Sequence, residues 1–149
     1  MRLSAFSDVC LRVLLVLNAS GKSELLTTQS VADMVGTPYN HVSKSMLKLR
    51  NLGLVEAVRG RSGGVRISTA GTEISVGGVL RTLNEHNDVA ACRSEAGDCP
   101  LLHDCGLRGA LNRAREAFYL SLDTVTIGGL SKDKQQGPVP LTLSTTRPR

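Results

Sequence analysis

Between residues 28 and 68 the hydrophobic period of the sequence switches from helix to helix to strand, and this order restricts the fold more than any other feature. Val31, Ala32 and Val35 form the apolar face of a short helix over 28–35, with Thr28 as its cap. Gly36 supplies a tight turn. Thr37 then caps a second helix running to about Leu52, with Pro38 in the first helical position, where its missing N–H costs nothing. Val42, Met46 and Leu49 face inward, while Tyr39, Asn40, His41, Ser43 and Lys44 sit at the polar front. Leu54–Val58 and Val65–Ser68 read as strands joined by a turn rich in Gly60, Ser62, Gly63 and Gly64. Helix, glycine turn, polar-fronted helix and hairpin predict a winged helix-turn-helix, mainly α with a small β-hairpin.

Charge reinforces this order. Residues 37–66 hold Lys44, Lys48, Arg50, Arg59, Arg61 and Arg66 against Glu56 alone, a surplus equal to the net charge of +5 carried by all 149 residues. A polar rim on an ordinary helical hairpin would explain the second helix alone, and solubility would explain the hairpin arginines alone. Together, in this order, they favour double-stranded DNA. The helix front (Thr37, Tyr39, Asn40, His41, Ser43 and Lys44) would enter the major groove, where Asn pairs with adenine and Lys with guanine or phosphate. Arg59 and Arg61 at the hairpin tip would reach phosphate or the minor groove. Aromatic residues are only 3% with no Trp, which disfavours a stacking platform for single strands.

The flanks are helical. Phe6, Val9, Val13, Leu14 and Leu17 predict a helix over 4–18 with Ser4 as cap, and Cys10 as a small buried hydrophobe on its apolar side. Gly21-Lys22-Ser23 resembles the end of a phosphate loop, but position 16 is Val where that loop requires Gly. Ser75 caps a helix over 76–86 with Val76, Val79, Leu80 and Leu83 inward. From Gly106 a long helix carries Leu107, Leu111, Ala114, Phe118, Leu122 and Val125 in one stripe, longer than a small winged domain needs, and is expected to form a homodimer. Two half-sites then predict an inverted-repeat operator. The expected organisation is a winged domain over 1–86, a loop over 87–106, a dimerisation region over 107–130 and a disordered tail over 131–149. No apolar run approaches the roughly 20 residues of a membrane span, and Asp8 and Arg12 interrupt the N-terminal stretch as no signal peptide allows, so the expected compartment is the cytoplasm.

Cys92, Cys99 and Cys105 are separated by six and then five residues in an acidic stretch. Structural zinc uses closer pairs, and a disulfide would leave one thiol over. Three thiolates on one loop favour an iron–sulfur cluster with a weaker fourth ligand. No general-base dyad, nucleophile motif or nucleotide loop is present, so an enzyme is not expected; a thiol-redox protein or cluster carrier is the least favoured reading.

Met1-Arg2-Leu3-Ser4 with Asp8 and Arg12, Gly53-Leu54-Val55, Val58-Arg59-Gly60 before Gly63-Gly64, and the three cysteines carry a family likeness. From residue 1 to about 130 the chain resembles the bacterial iron–sulfur winged-helix repressors that include IscR, RirA and NsrR. The resemblance implies a homodimeric transcription regulator whose cluster state controls DNA affinity. IscR-type proteins place a ligand His three residues after the third cysteine; here that position is Arg108, and the chain looks more like the nitric-oxide-sensing branch. There, nitrosylation of the cluster releases operator DNA. The alternative signal is iron, or cluster and redox status. Asp8 is the first candidate for the fourth ligand, reached across the subunit boundary and supported by Arg12, although the same spacing allows a plain i,i+4 ion pair; His103 and Asp104 are local alternatives. A carboxylate is a poor match for iron–sulfur chemistry and would leave one iron open to a diatomic. The absent His favours [4Fe–4S] over [2Fe–2S].

Overall fold

A hydroxyl caps each of several helices at the point where the chain turns inward. The computed structural model describes residues 3–84, 89, 90, 92 and 98–132. Ser4 opens α1 (Ala5–Ser20) by accepting from the Ser7 N–H at 3.1 Å, and Ser75 opens α5 (Val76–Leu83) through the Gly78 N–H at 2.9 Å. α2 (Thr28–Val35) is capped by Thr27 rather than the expected Thr28, because Thr27 is the extended residue whose hydroxyl reaches the Ser30 N–H at 3.0 Å. Gly36 ends α2 in the left-handed conformation, φ 63°, which only glycine adopts cheaply. α3 (Tyr39–Asn51) also departs from expectation. Pro38 is its extended N-cap, with its carbonyl bonded by the His41 N–H, and Thr37 provides no side-chain cap. Because Pro38 is itself extended, φ −54° and ψ 140°, the helix starts one residue later than expected and Thr37 lies one residue too early to cap it; its hydroxyl turns back to the Val35 carbonyl at 3.5 Å.

β1 (Val55–Val58) and β2 (Gly64–Ile67) pair antiparallel, with Val55 opposite Ile67 and Val58 opposite Gly64. Leu26 adds one bridge to Val65, tying the linker before α2 to the hairpin. A short helix that the hydrophobic pattern did not announce, α4 (Thr69–Glu73), follows under the cap of Ser68. α6 (Gly106–Ser121) is shorter than expected: the chain leaves the helix at Leu122, turns, and forms α7 (Ile127–Lys132). α7 runs two residues past the start of the expected tail, and 133–149 lie outside the described residues.

The core joins α1 (Val13, Leu14, Leu17), α2 (Val31), α3 (Val42, Leu49), the hairpin (Val55, Ile67) and α5 (Val79). Ile127 of α7 is also fully buried in it, and the Asn18 side-chain amide donates to the Ile127 carbonyl at 3.0 Å. The winged domain is thus completed by residues from beyond the long helix. Cys10 is buried there as expected; burial pushes its thiol pKa up, and the Ser45 hydroxyl of α3 lies beside it without a well-formed hydrogen bond.

Candidate nucleic-acid interface and cysteine loop

Burying Val42, Met46 and Leu49 turns the opposite side of α3 outward. Tyr39, Asn40, His41 and Lys44 are exposed, and Ser43 and Thr37 are half-buried. The hairpin carries Arg59 and Arg61 into solvent at its tip. A cleft of about 420 Å³ separates α3 from the hairpin, with Ser43, Lys44, Leu47 and Arg50 on one wall and Val58 and Gly64 on the other. Among the described residues, Arg66 alone of the segment's six cations forms an ion pair, to Glu56 across the hairpin at 2.9 Å. Of the remaining five, Lys44 and Arg50 line the cleft itself, while Lys48, Arg59 and Arg61 are exposed elsewhere on α3 and the hairpin; a surplus of positive charge on these elements draws a phosphate backbone. Arg50 and Thr28 also line this cleft, and sequence reasoning had placed neither on the DNA face; Arg50, seven residues after Ser43, shares its side of the helix.

All four thiols are free, and Cys92, Cys99 and Cys105 are each half-buried. The Cys99 N–H donates to the Cys92 carbonyl at 2.9 Å, which draws these two positions together. Cys105 is the N-cap of α6, its sulfur accepting from the Arg108 N–H at 3.4 Å. Three soft, partly exposed thiols, two on residues joined by a backbone hydrogen bond and the third at the head of α6, are by their chemistry a donor set that fits an iron–sulfur cluster. His103 and Asp104 are exposed beside them. Asp8 is elsewhere, on α1, where its carboxylate pairs with Arg12 at 2.9 Å. Among the described residues, no three His, Cys, Asp or Glu side chains converge closely enough to hold one metal ion, so the protomer does not itself gather Asp8 with the cysteines.

The stripe expected along α6 is largely open. Leu107 is 66% and Phe118 37% exposed, and Tyr119 is the one buried residue of this helix. No described helix is long and apolar enough to cross a membrane.

The Rrf2 profile, that of an iron-dependent transcriptional regulator, matches residues 3–133. The chain belongs to the Rrf2 family. It is therefore a DNA-binding transcription regulator and not an enzyme. It is 43% identical to the HTH-type transcriptional repressor NsrR of Streptomyces coelicolor over 149 residues, 99% of either chain. It is 36% identical to the HTH-type transcriptional regulator NsrR of Geobacillus kaustophilus over 135 residues, 90% of this chain and 92% of that one. Among solved structures, T. potens IscR superposes with a TM-score of 0.67 at 18% identity, covering 93% of each chain. Oxidised Staphylococcus aureus CymR gives 0.63 at 23% identity, covering 89% of this chain and 97% of that one. These two likenesses establish the Rrf2 winged-helix fold.

Proposed function

We propose that this protein is a homodimeric repressor, acting in the cytoplasm on inverted-repeat operators, whose [4Fe–4S] cluster senses nitric oxide. Cys105 carries the reading, because it is both a candidate cluster ligand and the N-cap of α6. The 43% identity to a repressor named NsrR supports the choice of signal. When bound, the cluster supplies an iron centre open to a small diatomic. Cys92, Cys99 and Cys105 hold it, and Asp8 of the partner subunit completes the set, with Arg12 orienting that carboxylate. Ligation at Cys105 would then hold α6 at one angle to the winged domain. Loss of those ligands would free Cys105 at the head of α6, α6 would shift, and two recognition helices would no longer match successive major grooves. Thr37 from the turn before α3, and Tyr39, Asn40, His41, Ser43 and Lys44 from α3, read or clasp the duplex, with Arg59 and Arg61 on phosphate or in the minor groove. A few kcal/mol of differential stability suffice to move occupancy from mostly bound to mostly free.

The iron dependence attached to the Rrf2 family supports a second reading, in which the signal is iron supply or cluster status. One experiment separates the two: visible absorption of protein purified without oxygen, titrated with nitric oxide, with operator affinity measured at each point. Bleaching of a brown cluster band with parallel loss of DNA binding is expected. Affinity that follows iron loading and ignores nitric oxide selects the second reading. A colourless protein after anaerobic reconstitution removes both.

A further inference from the structure

α6 has little apolar attachment to its own winged domain, since Tyr119 is its one buried residue among those described. A polar clasp takes over. Arg81, on α5, directs Nε to Glu116 Oε1 at 3.0 Å and Nη2 to the same oxygen at 2.8 Å. Its Nη2 also meets Asp123 Oδ2 at 3.0 Å and its Nη1 meets Oδ1 at 3.3 Å. Between these carboxylates the guanidinium lies over the Tyr119 ring, 5.6 Å from its centre. The Ser75 hydroxyl, which caps α5, donates to Asp123 as well, at 3.3 Å. Gly77 sets how closely the elements approach: a Cβ there would collide with Asp123 Oδ1 and the Tyr119 carbonyl.

A planar fork gripping two acids about two turns apart fixes orientation as well as distance; a lysine at the same place would fix only distance. Orientation matters here because leverage is large. The 16 residues of α6 span about 24 Å, so a tilt of about 10° at the clasp moves the far end by about 4 Å. We infer that Arg81 is the positioning residue that sets the angle between α6 and the winged domain, and so the separation at which a dimer presents its two recognition helices. This rests on the reading that α6 joins two copies. Arg81, Glu116 and Asp123 belong to neither the cysteine loop nor the recognition helix.

The test uses full-length protein and duplexes enriched from a random-sequence library by the wild type, each compared with the same duplex after one half-site is scrambled. Arg81→Gln and Arg81→Lys are expected to lose about tenfold in affinity for the two-half-site duplex while binding the single half-site as the wild type does. They are also expected to tolerate one base pair inserted between half-sites better than the wild type. If Arg81→Gln does not fold, Asp123→Asn carries the same expectation. Arg81→Lys binding both duplexes as the wild type does overturns the assignment, and so does an equal loss on both, which marks a merely structural role. A wild type with no preference for two half-sites over one overturns the dimer reading and this proposal with it.

Discussion

Leu14 in α1 and Leu107 in α6 are the same side chain in opposite circumstances: one is fully buried and the other 66% exposed. The contrast extends to their surroundings. The winged domain is cemented by apolar contacts from α1, α2, α3, the hairpin, α5 and α7, and α3 rides on three buried apolar side chains, Val42, Met46 and Leu49. α6 is held by an ion-paired arginine, a tight glycine contact and one buried tyrosine. Close-packed cores resist gradual deformation, whereas a polar clasp can open and close at modest cost. α3 therefore rests on close-packed apolar contacts, while α6 rests on a polar clasp around one buried ring.

The largest expected effect tests that separation directly. Cys99→Ala is expected to abolish iron loading and lower operator affinity by about 10³-fold or more, to the non-specific level. The same variant is expected to leave thermal unfolding of the winged domain unchanged. Iron analysis, fluorescence anisotropy on operator DNA and calorimetry measure the three; a Cys99→Ala protein that still represses and still answers nitric oxide breaks the proposed mechanism. Leu14→Ala should do the reverse, costing about 2–5 kcal/mol in urea unfolding through lost burial and a cavity. Leu107→Ala is expected to change protomer stability by less than about 0.5 kcal/mol and to weaken self-association instead, read by sedimentation at falling concentration.

Smaller effects sharpen the boundary. Arg59→Ala and Arg61→Ala are each expected to reduce the salt slope of DNA binding by about 1 while leaving sequence preference intact, if each contacts one phosphate. Asp8→Asn removes an exposed i,i+4 pair with Arg12, about 0.3–0.5 kcal/mol of helix stability, so a marked fall in iron retention would point to ligation rather than to helix stability. The smallest effect concerns acid. Arg81 holds the Asp123 carboxyl below the usual aspartate range, so the clasp contributes above the unfolded aspartate pKa of about 4 and is lost as pH falls through the lower folded value. Protection of the Val76 and Gly77 amides, measured as exchange relative to the unstructured rate at the same pH, should therefore hold through mildly acidic pH and fall only below that range; these amides bond to the turn after α6.

The winged domain was legible because its signals are local. Caps, the Gly36 turn and the step from helical to alternating period all lie within a few residues of what they control. The misses are equally instructive. Thr27 and Thr28 are equivalent on paper, and only the extended backbone at 27 decides between them. Leu122 and Val125 continue the apolar stripe of α6 although the chain has already turned; the stripe could not register that their carbonyls accept from the Gly77 and Val76 N–H groups at the start of α5. The cysteine spacing pointed to a soft-metal donor set, but the place of Cys105 as a helix cap needed coordinates. The Arg81 clasp was not legible at all, since its partners lie 35 and 42 residues away.

The bridge between Ser75 and Thr126 has one further implication. With the Val76 N–H on the Val125 carbonyl at 2.8 Å and the Ile127 N–H on the Ile74 carbonyl at 3.0 Å, the chain departs and returns at one zipped stem. Everything between is, topologically, an insertion. Because the stem already closes the loop, lengthening the stretch between α5 and α6 costs little chain entropy, about 0.6 kcal/mol per doubling.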